Sequence, residues 1–298
     1  MKVSYLNDDF FSRLETSSLN LKRDLTGFFG GKHLVKTYGQ TVEFADYREY
    51  MLGDDIRRID WNLFSRFEKY FLKLFTDERQ MHTQIYLDCS ASMGKVNQQK
   101  AAYATAFAAA LGFLSVHNMD KLSYRLIKGN VCEDPYGLIV GKTPFFRAVS
   151  SLDNIEFEDD ADLEKAIVGS EVSQGNGLSV IISDFFTTSD WKKAVDYLSY
   201  KKRQVFLIQI MSPEERDPAY SGRVSLVDSE AVDALDEKNM RVRITRGMQQ
   251  AYQEALNDYI EDMSSFCASR GAGFITVTSD KPIEKVIFGE LLKTGILE

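Results

Sequence analysis

Ile85-Tyr-Leu-Asp88-Cys-Ser-Ala-Ser92 is an apolar run that ends in one carboxylate and two alternating hydroxyls. A helix-length segment, Asn97 to Val116, follows it. The run has the length and composition of a buried strand, and the turn after it leads into a helix. Alternate residues of a turn can point into one crevice, so Asp88, Ser90 and Ser92 can face one hard cation. Mg²⁺ favours such a set, with few carboxylates, neutral oxygens and retained water. The competing reading is a helix cap, the commonest use of Ser or Asp before a helix.

Working outward, from residue 81 onward the chain alternates strand and helix. Short apolar runs fall at Gln84–Leu87, Leu122–Ile127, Leu178–Ile182, Val205–Ile210 and Gly273–Val277. Helical segments are expected at 97–117, 144–152, 162–169, 188–202 and 245–270. This order predicts an α/β fold with a mainly parallel sheet and helices on both faces. In the last helix Met248, Tyr252, Leu256, Tyr259, Ile260, Met263 and Phe266 form one stripe, expected to be core, and Gly271 stops it. Residues 211–244 read as a loop and a short β-hairpin. Residues 1–80 differ in texture. An amphipathic start (Phe10, Phe11, Leu14) and Gly27-Phe-Phe-Gly-Gly31 precede a charge-dense stretch. They are expected to be an N-terminal elaboration packed on a main domain of residues 81–298.

A second strand also ends in an acid, Leu178-Ser-Val-Ile-Ile-Ser-Asp184. In a doubly wound sheet the carboxyl ends of parallel strands share one edge. Asp88 and Asp184 are therefore expected to approach each other, and two such charges need a cation or a proton between them.

The chain carries 36 basic and 44 acidic residues, a net charge of −8. That sign argues against a nucleic-acid partner, which calls for a basic face. Cys89, Cys132 and Cys267 lie far apart, as do His33, His82 and His117, so neither a disulfide framework nor a zinc site is expected. Alternation turns Cys89 away from the Asp88 side, into the core. The N-terminus lacks the apolar core of a signal peptide. The longest apolar stretch, Ala101 to Val116, is shorter than the ~18 residues of a spanning helix. A cytoplasmic protein without a membrane span is expected. Gly141-Lys-Thr143 is no phosphate loop, because the Gly required at 136 is Tyr136.

Between Glu43 and Arg66 the chain interleaves Arg48, Asp54, Asp55, Arg57 and Asp60 with Tyr47, Tyr50, Ile59 and Trp61. Two readings stand side by side. The run is an ion-pair network that locks the segment together, or a face on which a partner docks through Arg48, Asp54, Asp55, Arg57, Asp60 and Trp61. Both uses favour Arg and aromatic side chains.

Asp-x-Ser-x-Ser after one strand and Asp after another resembles the metal-ion-dependent adhesion site of von Willebrand factor A domains. Gly39-Gln-Thr-Val-Glu-Phe44, Tyr47-Arg-Glu-Tyr50, Gly53-Asp-Asp-Ile-Arg-Arg-Ile-Asp-Trp61, Ser65-Arg66 and Thr76-Asp-Glu78 sharpen this. With Gly222-Arg-Val-Ser-Leu-Val-Asp228 they are similar to the MoxR-associated bacterial family called domain of unknown function 58. The resemblance covers roughly residues 25–298. It implies a Rossmann-like von Willebrand A fold, a Mg²⁺ site at Asp88, Ser90, Ser92 and Asp184, and no established reaction. It also implies a MoxR-type AAA+ ATPase as partner, so that the chain would be a non-enzymatic adaptor in assembling or maturing another complex. The alternatives are a Mg²⁺-dependent hydrolase using Asp88 and Asp184, and a scaffold without metal. The adhesion site adds a Thr. Asp160-Ala-Asp-Leu fits that place better than Gly141-Lys-Thr143, which puts Ala161 where the Thr belongs and weakens the expected Mg²⁺ site. Asp160 or Asp162 would have to compensate.

Overall fold

The structure, a computed structural model, describes residues 9–14, 42–51, 54–77, 81–94, 98–158, 160–172, 177–187, 189–218, 222–226 and 240–290. Gly27–Gly31, the Gly39-Gln-Thr start of the signature, Gly53, Glu78, Asp159 and Asp228 lie outside them. The chain divides into two compact units, Met1–Phe29 with Met81–Glu298, and Gly30–Gln80. The larger unit includes helix α1 (9–14), which buries Phe10, Phe11 and Leu14. The Phe11 ring meets Phe113 at 5.4 Å and Phe145 at 5.9 Å.

The smaller unit pairs β1 (Val42–Glu49) antiparallel with β2 (Phe71–Asp77), with an irregular register between Phe44 and Asp46. A single 3-10 turn (Ile56–Arg58) and helix α2 (Trp61–Phe67) connect them. Asp60 starts α2 by accepting the backbone N–H groups of Asn62 and Leu63, two donors that a helix cannot satisfy internally. Glu68, in the left-handed region at φ 54°, ends it.

The larger unit is built on β3 (His82–Asp88), α3 (Ala91–Gly94), α4 (Gln98–His117), β4 (Lys121–Lys128), β5 (Val131–Glu133), α5 (Lys142–Leu152), α6 (Leu163–Val168) and β6 (Leu178–Ser183). It continues with α7 (Trp191–Tyr200), β7 (Gln204–Met211), α8 (Pro213–Arg216), β8 (Gly222–Leu226), β9 (Met240–Ile244), α9 (Arg246–Ser269), β10 (Gly273–Thr278) and α10 (Ile283–Lys285). Six strands form one sheet in the order β10-β7-β6-β3-β4-β5. All its pairs are parallel except β4 with β5. The hairpin expected in 211–244 is present as the separate antiparallel pair β8 and β9.

Alternation along each strand feeds two cores. Ile85, Leu87, Val180, Ile182, Phe206 and Ile208 face a layer that includes α4 and α5. Tyr86, Ile181, Val205 and Leu207 face a layer that includes α6, α7 and α9. Sheet and helices thus make three layers. Ala104, Ala106, Ala108, Ala109 and Ala110 of α4 are fully buried, which lets the helix lie close to the strands. Gly112 marks the closest approach, since a Cβ there would overlap the Tyr124 hydroxyl.

The sequence places the five parallel strands within two residues of their bounds. It misses β1 and β2, although Phe71-Leu-Lys-Leu-Phe75 is mostly apolar, and it misses β5, which has only three residues. The stripe of α9 also needs correcting. Leu256, Met263 and Cys267 are buried, but Met248 and Tyr252, in the first two turns of α9, are exposed. Among the described residues no helix is long and apolar enough to cross a membrane.

Candidate functional site at the carboxyl edge of β3 and β6

Strand order reverses at β3, which has β4 on one side and β6 on the other. Open α/β sheets form their crevice at such a point, outside the carboxyl ends. Leu87 pairs with Ile182, so the next residues, Asp88 and Ser183, leave the sheet side by side.

Asp88 is buried. Its Oδ1 accepts the Ser90 backbone N–H at 2.9 Å and its Oδ2 accepts the Ser183 hydroxyl at 2.5 Å. The Ser90 and Ser92 hydroxyls are 3.1 Å apart. Burial, and then the nearby Asp184 charge, push the Asp88 carboxyl up to about 6, against the pull of its hydrogen bonds from Ser183 and Ser90. Asp184 is equally buried. Its Oδ1 accepts the Phe186 N–H at 2.9 Å and its backbone carbonyl accepts Gln209 Nε2 at 3.0 Å. Phe185 sits between them at φ 59°, a left-handed conformation that costs a non-glycine residue about 1–2 kcal/mol. Ser183 Oγ accepts its N–H and the Tyr259 hydroxyl donates to its carbonyl at 2.7 Å, so the peptide groups on both sides of Phe185 are held.

The fourth carboxylate oxygen meets a residue that sequence reasoning missed. Lys100, in the first turn of α4, is fully buried and donates to Asp184 Oδ2 at 2.8 Å. It also donates to Glu215 Oε1 at 2.8 Å and to the Ser92 carbonyl at 3.3 Å. Glu215 belongs to α8, where its other oxygen closes a capping box on the Ser212 N–H at 2.7 Å. Burial alone would lower the Lys100 pKa, but the Asp184 and Glu215 carboxylates raise it above its ordinary value. The sequence offers only a faint sign of this: Lys100 is the one Lys, Arg, Asp or Glu of α4, but it follows Gln98 and Gln99 in the polar first turn, where a lysine usually reaches water.

The two candidates for the third-ligand position separate cleanly. Ala161 pairs with Gly129, one residue beyond β4, and so lies on the carboxyl edge. Its methyl is buried, and its carbonyl accepts the Thr187 hydroxyl at 3.1 Å. Thr143 is exposed near the start of α5. Ile139, four residues earlier, pairs with Leu122 at the other end of β4. Leu122 is beside Thr83 and Ile127 beside Asp88, a separation of about 17 Å along the strands. Asp160 and Asp162 are engaged locally. Asp160 accepts the Ala161 N–H at 2.7 Å, and Asp162 caps α6 and pairs with Lys165.

As arranged, these donors are already engaged within the protein. Both oxygens of Asp88 and both of Asp184 already accept hydrogen bonds, one of them from an ammonium. Position 161 offers a methyl where the resemblance to an adhesion site calls for an oxygen. Among the described residues no group of three or more His, Cys, Asp or Glu side chains is placed to hold a metal. Cys89 turns into the core, where burial pushes its thiol up, so it supplies no thiolate.

The charged run of the smaller unit divides into two roles. Arg48 donates to Asp54 at 2.8 Å, whose other oxygen accepts the Met51 N–H at 2.8 Å. The Arg48 hydrogen bond, with that of Met51, holds the Asp54 carboxyl below its ordinary value. Asp55 caps the 3-10 turn through the Arg57 N–H, and the buried Asp60 accepts the Tyr47 hydroxyl at 3.1 Å besides capping α2. Arg48, Asp54, Asp55 and Asp60 thus hold the local fold together. Arg57 is exposed, and so are Met51, Ile56, Trp61, Phe67 and Tyr70, which are 47–66% accessible. Phe64 and Tyr70 stack at 4.6 Å, and the Trp61 ring meets Phe64 edge-on at 6.0 Å.

Residues 46–258 match the family described as "Protein of unknown function DUF58". Uncharacterized proteins of Mycobacterium bovis and Mycobacterium tuberculosis are 27% identical over 224 residues, covering 73% of this chain and 70% of theirs. Among solved structures, the conserved hypothetical protein BatB from Bacteroides thetaiotaomicron aligns with a TM-score of 0.45 and 16% identity, over 72% of this chain and 98% of that one. The pilus adhesin SpaC from Lactobacillus rhamnosus GG aligns with a TM-score of 0.40 and 8% identity, over 74% and 31%.

Proposed function

This chain belongs to the DUF58 family, and from that premise we propose that it is a non-enzymatic protein-interaction module of the cytoplasm. It docks its partner through the aromatic face of residues 51–70. The observation that carries this reading is the exposure of Trp61, Phe67, Ile56 and Met51, each 60–66% accessible, on one short unit. Large apolar side chains clustered in water mark interaction sites, and Trp, Tyr and Arg dominate interface hot spots. The acids beneath them are committed to capping and pairing, so the face is held in shape before any partner arrives. The sheet edge supports a non-catalytic role, since its carboxylates are taken up by fixed hydrogen bonds and an ammonium.

In this reading the larger unit is a von Willebrand A-like domain. The partner is the MoxR-type AAA+ ATPase that the family resemblance implies, and the chain adapts that ATPase to a client complex. The test is direct binding of the purified chain to the MoxR-type ATPase of the same genome. Trp61→Ala and Phe67→Ala are each expected to weaken binding roughly 30-fold, the loss of one hot spot, with melting unchanged. An ATPase that ignores the wild-type chain refutes this partner. Variants that bind as the wild type does refute the docking face.

A further inference from the structure

The carboxyl edge of β3 and β6 brings two buried carboxylates together, and the chain supplies its own cation there. Among the described residues, acceptors from three separate segments converge on the Lys100 ammonium. They are the Ser92 carbonyl after β3, Asp184 after β6 and Glu215 after β7, at 3.3, 2.8 and 2.8 Å. The lysine stem is buried along its whole length, so the charge is delivered from inside the fold and not from solvent. A divalent ion at this edge would need Asp184 as well, and would meet the ammonium already bonded to it. Ions of like sign that close repel strongly in a buried site.

We propose that Lys100 is a tethered cation standing in the place of a divalent ion, making this edge a metal-independent clamp on the exits of β3, β6 and β7. An ammonium on a covalent stem joins the same strand ends that an ion would join, and chelators do not remove it. The proposal is independent of docking through residues 51–70, and either can fail alone.

The full-length chain is stripped of metal, titrated calorimetrically with Mg²⁺ and with Mn²⁺, and melted in chelator and in ~10 mM Mg²⁺. The wild type is expected to show no saturable uptake, and its midpoint to move by less than about 1 °C. Lys100→Ala leaves buried carboxylates uncompensated, so in chelator its midpoint falls by about 10 °C. Mg²⁺ can then enter and recovers part of the loss. Should Lys100→Ala not fold, Lys100→Met is compared with Lys100→Met combined with Asp184→Asn. The double variant, with both charges removed, is expected to melt higher. Saturable stabilising uptake of either ion by the wild type overturns the proposal. So does a Lys100→Ala protein that melts with the wild type, or one that is destabilised but indifferent to Mg²⁺. A double variant no more stable than Lys100→Met overturns it as well.

Discussion

Gly112→Ala tests how closely α4 lies on the sheet, and hence how Lys100 reaches Asp184. In an isolated helix the change is favourable by about 1 kcal/mol. Here the added Cβ would overlap the Tyr124 hydroxyl and lie 2.9 Å from both Tyr124 Cζ and Leu122 Cδ2. Tyr124 cannot turn away. It is fully buried, its ring meets Tyr136 edge-on at 6.1 Å, and its hydroxyl faces the Ala108 carbonyl at 3.4 Å. Overpacking of this kind costs about 3 kcal/mol, the upper end of its usual range, so the net loss is about 2 kcal/mol. For a chain of this size the melting midpoint falls by about 5 °C. Tyr124→Phe alone loses one long hydrogen bond, worth under about 1 kcal/mol. Combined with Gly112→Ala it removes the worst overlap and leaves a loss of about 1 kcal/mol, so the double-mutant cycle shows a coupling of about 1–2 kcal/mol. Chemical denaturation of the four proteins measures all of these terms. A Gly112→Ala protein as stable as the wild type, or an additive cycle, refutes the close approach.

Three further outcomes are expected. Ala161→Thr forces a larger, polar side chain into a buried position beside Leu163 and Phe185, and lowers stability by about 1–2 kcal/mol while Lys100 still denies Mg²⁺ a place; a variant that melts with the wild type and takes up Mg²⁺ contradicts this. His82 is held to about 4 by burial, then by the Arg203, Arg125 and Lys121 charges, with its Nε2 2.9 Å from the Ser123 hydroxyl. The neutral ring is the folded form, so its stabilisation is present above pH 6.5 and lost as pH falls toward 4; after a discount for its partial exposure that is about 2 kcal/mol, and His82→Gln abolishes the corresponding slope in denaturation curves taken across this window. Asp60→Ala removes the cap of α2 and the acceptor of Tyr47, and weakens the smaller unit by about 1–2 kcal/mol; hydrogen exchange should quicken across 42–77 and not at β3 or β6, and uniform quickening would mean that the two units open together.

What the sequence determined by itself is what local periodicity encodes. A strand buried on both faces is an unbroken apolar run, and Leu178 to Ile182 or Val205 to Ile210 need no other information to declare themselves. Acids at two strand ends imply a shared edge, since parallel strands put their carboxyl ends together. Interval lengths were enough to prefer Ala161 to Thr143 as the residue at that edge. A short piece stabilised by its neighbour, such as the three-residue β5, left no such trace. The exposure of Met248 and Tyr252 was also hidden, because a stripe on a helix shows which side is apolar but not how much of its length is covered. Only tertiary structure decided the chemistry of the edge. Lys100 is 84 residues from Asp184 and 115 from Glu215, and nothing local separates a lysine that reaches into the fold from one that reaches water. The close approach of α4 and the convergence of three strand exits bury the ammonium, and burial makes its carboxylate partners obligatory.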